Sequence, residues 1–199
     1  MKGHIPMLLS QNQMFTIEKI VKDACFSSTN KFGESIWQYH ILPVKKHGIL
    51  LANELSADKE IVELACLLHD YSGIKDYNLY PEHHIHSAKL ASQLLLQYNY
   101  PASKIDLVCD CILEHRNSVE VPQSSIESIC VASADAMSHI TEALSLLYLA
   151  YSTKKLDIES GRLFLKNKLE KSWKKICPLG QKIIKEQYDA ISLVLLKKD

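Results

Sequence analysis

The sequence of 199 residues has no excess charge of either sign, because 23 lysine and arginine residues balance 23 aspartate and glutamate residues. This balance points to neither a nucleic acid nor a membrane surface as a partner. Glycine and proline are scarce, at six each, which excludes collagen-like and low-complexity chains. Hydrophobic residues make up 47% of the chain, so we expect a folded domain with a sizeable core.

Long hydrophobic runs are also missing. The longest apolar stretch without a charge covers residues 143–153, about half of the roughly 20 residues that a membrane-spanning helix needs. The opening decapeptide, MKGHIPMLLS, has too short an apolar run for a secretory signal. We therefore expect a cytoplasmic protein without a membrane partner. The six cysteines include no Cys-x-x-Cys pair, so buried thiols are expected rather than disulfides.

Strand-like alternation of useful length is absent, whereas helical spacing recurs along the chain. We predict an all-α fold in a single domain covering residues 1–199. Ser56 or Asp58 is expected to cap a buried helix, Ser124–Glu127 to form a capping box, and residues 71–81 to form a loop. The predicted helices cover approximately 13–25, 40–55, 58–69, 82–98, 101–113, 124–151, 159–176 and 179–196.

Basic residues are concentrated at the C-terminal end. Residues 154–199 carry 12 lysines and arginines against 6 acidic residues, whereas residues 1–153 carry 11 against 17. We interpret this segment as helices that complete the core and present a solvated lysine-rich face. A nucleic-acid partner is conceivable on charge alone but is not favoured, since only two of the 23 basic residues are arginine.

Histidines are clustered, with seven of the nine between His40 and His115. The pair His69-Asp70 closes an apolar helix, where burying two titratable side chains is costly unless a partner compensates. Imidazole and carboxylate groups recur in the segments before and after this pair. These are ligands that Mn, Mg, Fe, Co, Ni and Zn sites use. The pattern therefore predicts a centre for a divalent metal.

These segments resemble the HD superfamily of metal-dependent phosphohydrolases over roughly residues 36–145. The matching pieces are His40-x-x-x-Val44, Ala65-Cys-Leu-Leu-His-Asp70, the histidine-rich stretch from His83 to Ala88, Ile112-x-x-His115 and Ala134-Asp-Ala136. The resemblance implies a helical-bundle HD core over residues 36–152 and C-terminal helices over 153–199 that pack on it.

The resemblance also implies roles for individual residues. The metal ligands would be His40, His69, Asp70 and Asp135. Family members with two ions use further histidines, here His115 with either His83 or His84. Asp70, His115 and His83 would be catalytic, and Lys75, Arg116 and His84 would bind phosphate. Of the remaining histidines, His47 is expected either to pack in the core or to contact a metal ligand from behind, and His139 is expected to be a partner of Asp135.

The sequence departs from the family pattern at two places. Pro43 stands where many members have arginine. Proline is tolerated in the first turn of a helix, so a helix is expected to begin near His40. The HDIGK sequence of many members is replaced by His69-Asp-Tyr-Ser-Gly-Ile-Lys75, so a lysine directly after the glycine is missing.

The function that the resemblance implies is hydrolysis of a phosphate monoester or diester by a metal-activated water. One or two divalent ions would be the cofactor, and a nucleotide is the generic small-molecule substrate. Two alternatives stay open: a di-iron oxygenase of the HD type, and a non-catalytic metal- or nucleotide-binding regulatory module.

Overall fold

The computed structural model describes residues 8–116 and 122–196. Within these ranges all regular structure is helical, which confirms the all-α prediction. The first seven residues, on which the argument about a secretory signal partly depended, lie outside the described residues. The helices are α1 Gln11–Cys25, α2 Leu42–Leu55, α3 Lys59–Leu68, α4 Tyr71–Lys75, α5 His83–Gln97, α6 Ala102–Glu114, α7 Ile126–Thr141, α8 Ala143–Tyr148, α9 Ile158–Lys175 and α10 Pro178–Leu195. Single turns of other types are the π-helical Trp37–Ile41 and Leu149–Thr153 and the 3₁₀-helical Tyr77–Glu82.

Helix α7 lies at the centre and packs against α2, α3, α6, α9 and α10. Nearly all of its side chains are buried, and many are alanine or serine, which lets neighbouring backbones approach closely. A close approach occurs at Gly48 of α2, where an added Cβ would lie 2.5 Å from the Cys66 Sγ of α3 and 3.7 Å from the Ala134 Cβ of α7. Small residues at this crossing therefore hold three helices around the site.

Helix α3 is buried along most of its length, and its N-cap is Asp58, one of the two residues expected to cap it. The Asp58 carboxylate accepts hydrogen bonds from the backbone N–H groups of Glu60 and Ile61, which caps the helix. The helix ends at Leu68, so that His69 and Asp70 stand at its junction with α4. The fold thus places both polar residues at a helix end rather than in the middle of the core.

Three expectations about local structure were wrong. Residues 71–81 form α4 and a 3₁₀ turn instead of a loop, because Tyr71–Ile74 are buried and the turns are too short to show periodicity. The predicted helix over 124–151 is broken after Thr141 into α7, α8 and a π-helical turn. Ser124 does not cap α7. Ser125 does, and Glu127 accepts a hydrogen bond from the Asp58 N–H.

Helices α9 and α10 pack against α7 through buried residues such as Leu165, Leu169 and Ile184. Across the described residues, no helix has the length and apolar character needed to cross a membrane. All six cysteines are free thiols, and four of them are buried, in line with the expectation.

Candidate metal centre

Seven histidine and aspartate side chains from five parts of the chain converge at one end of α7. His40 comes from the first π-helical turn, the pair His69 and Asp70 from the α3–α4 junction, and Asp135 from α7 itself. π-helical turns are rare and concentrate at functional sites. The remaining members are His83 at the start of α5, His115 at the end of α6 and His139 in α7.

One half of the cluster surrounds the Oδ2 atom of Asp70. The Nε2 atom of His40 lies 3.2 Å from this oxygen and 3.1 Å from Nε2 of His69. Oδ1 of Asp135 lies 3.8 Å from Nε2 of His40 and 4.0 Å from Nε2 of His69. Groups of ligand atoms this close together could hold a metal ion.

The other half surrounds the Oδ1 atom of Asp70. Nε2 of His83 lies 3.2 Å from this oxygen, and Nε2 of His115 lies 3.9 Å from it. The two imidazole nitrogens are 3.1 Å apart. The Asp70 carboxylate therefore stands between two groups of histidines and offers one oxygen to each.

Hydrogen bonds on the far side of the rings fix which nitrogen carries the proton. Nδ1 of His69 donates to the Cys66 carbonyl at 2.8 Å, and Nδ1 of His83 donates to the Tyr80 carbonyl at 2.8 Å. Nδ1 of His115 donates to its own helix at the carbonyl of Ile112. A carbonyl oxygen only accepts, so each Nδ1 is protonated and each Nε2 of a neutral ring presents a lone pair to the cluster.

His40 reaches the same state through a hydroxyl group. The Ser138 hydroxyl donates to the Asp135 carbonyl at 2.7 Å, so its oxygen accepts from Nδ1 of His40 at 3.0 Å. Four imidazole lone pairs and two carboxylates then face one another at short range, which is unfavourable unless a cation lies among them. Nitrogen and oxygen ligands held by such outer hydrogen bonds fit a divalent transition metal.

The pKa shifts of Asp70 and His69 also indicate that the cluster needs a positive charge. Burial acts to raise the pKa of Asp70, but the charge of His69 and a hydrogen bond from His40 hold it well below its usual value. Burial acts to lower the pKa of His69, but Asp70 and Asp135 outweigh it and raise this pKa to about 9. Without a metal ion, a proton on His69 thus supplies the positive charge that the carboxylates require.

A buried pair of serines fixes the start of α5 against α4. The Ser87 hydroxyl donates to Ser72 Oγ at 2.9 Å, and the Ser72 hydroxyl donates to the His83 carbonyl at 3.0 Å. This explains why the histidine-rich stretch continues with Ser87. The bonds hold His83, the first residue of the helix, beside Asp70.

The phosphate-binding candidates are placed differently from one another. His84 lines neither of the two cavities at the centre, and its Nδ1 lies 3.3 Å from the Arg116 guanidinium. Arg116 itself lines a cavity of about 340 Å³ that opens over the candidate metal ligands. Lys75 is exposed, lies over the Tyr71 ring and lines neither of the two main cavities. The structure therefore does not bring Lys75 to the site, because α4 directs it outward.

Sequence reasoning missed the lysines that α9 brings to the centre. Lys175 forms a 2.9 Å ion pair with Oδ2 of Asp135 and donates to the His115 carbonyl. Lys168 and Lys171 line the cavity beside Arg116. The excess of basic residues after residue 153 was the available signal, but it did not distinguish these lysines from others on the solvated face of α9.

His139 lies nearer to the centre than a remote partner of Asp135 would. Its Nε2 is 3.6 Å from Oδ1 of Asp135, and its ring stacks on that of His40. Nδ1 of His139 contacts the Ser172 hydroxyl of α9 at 3.1 Å. With His40 and Asp135 it forms a third group that could hold a metal ion.

Comparison with known proteins bears on this centre. Residues 37–140 match the HD domain family. The fold is similar to that of the Lin1889 protein of Listeria innocua, with a TM-score of 0.66, 17% identity, and coverage of 92% of this chain and 93% of the other. It is also similar to a predicted HD superfamily hydrolase from an uncultured Thermotogales bacterium, with a TM-score of 0.56, 21% identity, and coverage of 78% and 84%.

Proposed function

Because the chain belongs to the HD domain family, we propose that it is a metal-dependent phosphohydrolase that cleaves phosphate esters with an activated water. The observation that carries this proposal is the position of Asp70, whose two oxygens face two separate histidine groups beneath an open, basic cavity. Such an arrangement supplies ligands on one side and positive charge for a phosphate on the other.

The residues fall into two ligand groups. His40, His69, Asp70 and Asp135 would hold the first ion, and His83 and His115 would share Asp70 with them for the second. A divalent cation held there supplies Lewis-acid polarisation of a phosphoryl oxygen and lowers the pKa of a bound water. The backbone carbonyls that accept from the Nδ1 atoms keep each Nε2 directed inward without reorganisation.

The same cavity supplies the contacts to phosphate. Arg116, Lys168 and Lys171 present positive charge around its wall, and His84 contacts Arg116. His83 is the more exposed of the second histidine pair, with 12% of its side chain accessible against 3% for His115. When no ion occupies this side, His83 is therefore the better placed to deliver a proton to the leaving oxygen.

One geometric feature also suits the oxygenase alternative: a single carboxylate, that of Asp70, lies between two histidine pairs. Metal analysis after anaerobic purification separates the two functions. A coupled di-iron signal in electron paramagnetic resonance, with no hydrolysis of any phosphate ester, would favour the oxygenase. Ester hydrolysis supported by Mn²⁺ in the absence of oxygen would favour the hydrolase.

The test of the proposed function is a panel of phosphate monoesters and diesters, nucleotides included, assayed with each divalent metal after treatment with a chelator. We expect hydrolysis, measured as phosphate released from monoesters or alcohol released from diesters, that needs added metal and is abolished by Asp70→Asn. Lys171→Gln should raise KM about 10- to 100-fold, because charge-assisted contacts to phosphate are lost. Lys174→Gln, an exposed position on the same helix, is the matched control and should match the wild type. No hydrolysis of any monoester or diester with any metal would contradict the proposal.

A further inference from the structure

A second cavity, of about 450 Å³, adjoins the metal centre and is not needed for phosphate binding. It shares His40, Asp70, His139 and Lys168 with the basic cavity, so the two spaces meet at the metal ligands. Its volume lies in the range of sites that hold small organic molecules. A substrate with its phosphate at the metal ligands could extend directly into this space.

Aromatic and aliphatic side chains form the walls. On one side, Phe32 contacts the rings of Tyr77 and Tyr80 edge-on, with ring centroids 5.3 and 5.0 Å away. On the other side lie Leu149 and Phe164. Residues 143–168, which supply this second wall, follow the segment that matches the HD domain. This wall therefore lies outside the segment that matches the HD domain.

The lining lacks the groups that most often recognise the edge of a nucleobase. Among the described residues that line the cavity there is no asparagine or glutamine, and the only carboxylate is Asp70 at the metal end. Its polar groups are instead hydroxyls, imidazoles and lysines, and two of the hydroxyls, those of Ser138 and Ser145, already donate to backbone carbonyls. Side-chain amides that pair with a base edge are thus absent from this lining, whereas the lysines Lys31 and Lys154 tolerate a nearby anion.

We propose that this cavity binds the hydrophobic alcohol portion of the substrate, so that the enzyme acts on phosphate esters of an apolar alkyl or aryl alcohol rather than on nucleotides. This inference rests on the proposed function, because it places the phosphate at the metal centre. The apolar group lies between the Phe32–Tyr80 wall and the Leu149–Phe164 wall. Burial of each methylene group there strengthens binding about fourfold.

Binding of phosphonates tests the inference without turnover. Methyl-, butyl-, octyl- and naphthylphosphonate, with adenosine 5′-monophosphate for comparison, are titrated into the Mn²⁺-loaded protein by calorimetry. We expect octylphosphonate to bind on the order of 100-fold more tightly than butylphosphonate. Adenosine 5′-monophosphate should bind more weakly than both octylphosphonate and naphthylphosphonate. The ratio of the octyl and naphthyl affinities separates an alkyl from an aryl alcohol.

Leu149→Asn should reduce the preference for octyl over butyl at least tenfold. Leu144→Asn is the control, because Leu144 lies on the neighbouring helix with 77% exposure and outside the cavity. Affinity independent of chain length, or tighter binding of adenosine 5′-monophosphate than of octylphosphonate, would overturn the inference while the proposed function stands. Metal-dependent hydrolysis is measured separately, and its absence would remove the proposed function and this inference together.

Discussion

Lys175 is expected to stabilise the protein mainly by neutralising Asp135, and Lys175→Met tests this. The two side chains are 9% and 8% exposed, and Nζ lies 2.9 Å from Oδ2. At this distance the attraction is about 6 kcal/mol for an effective dielectric constant of about 20. Removal of one partner from a buried pair costs about 3–5 kcal/mol, because the other charge is left uncompensated.

We expect Lys175→Met to lower the free energy of unfolding in EDTA by about 3 kcal/mol, the lower end of that range, because the histidines around Asp135 can take up a proton. Urea denaturation followed by circular dichroism measures the loss. Lys174→Met, an exposed neighbour, should change stability by less than about 0.5 kcal/mol.

Added Mn²⁺ provides a second test, because a metal ion and Lys175 would neutralise the same carboxylate, that of Asp135. Mn²⁺ should therefore stabilise Lys175→Met more than the wild type, through its tighter binding to the variant. Equal stability of the Lys175→Met and Lys174→Met variants in EDTA, or equal stabilisation of wild type and Lys175→Met by Mn²⁺, would refute this reasoning.

Three further predictions concern the fold. Burial, with a smaller effect of Lys46, lowers the pKa of His47 from 6.5 to about 4, so stability present above pH 6.5 is lost as the pH falls towards 4. In denaturation curves at several pH values, His47→Gln should remove up to about 3 kcal/mol of that loss, whereas the same pH dependence of stability in wild type and variant would contradict the prediction. Gly48→Ala should lower the free energy of unfolding by about 1–3 kcal/mol, because its Cβ would lie 2.5 Å from Cys66 Sγ. Adding Cys66→Ala should restore part of this loss, whereas strictly additive losses in the double variant would show that this contact is not the cause. A chain ending at Thr153 should show no cooperative thermal transition, since it loses the apolar residues of α9 and α10 that pack on α7; a cooperative transition near that of the full chain would show that these helices are dispensable.

The helical class and the positions of the longest helices could be predicted because apolar spacing and caps such as Asp58 act locally. The positions at which these helices are interrupted could not be predicted. The π-helical turn Trp37–Ile41 packs against α2 and α7, and the turn Leu149–Thr153 packs against α8 and α9. Turns of five residues leave no periodic signal in the sequence. The short helix α4 depends on Ser72 and Ser87, which are distant in sequence.

For the site, the resemblance brought together residues that the structure also brings together, from His40 to Asp135. The choice between His83 and His84 needed the structure, because it depends on how α5 begins. Lys175 could not be recognised from its sequence, since nothing local distinguishes it from Lys174. Only the packing of α9 on α7 places its amine against Asp135.

The number of metal ions per chain is the decisive measurement, because the two oxygens of Asp70 would each serve a separate ion. Elemental mass spectrometry after dialysis against saturating Mn²⁺ should give two ions in the wild type, one in His83→Ala and His115→Ala, and none in Asp70→Ala. Circular dichroism should show that each variant stays helical. A single ion in the wild type that persists in His115→Ala, or full occupancy in Asp70→Ala, would contradict the account.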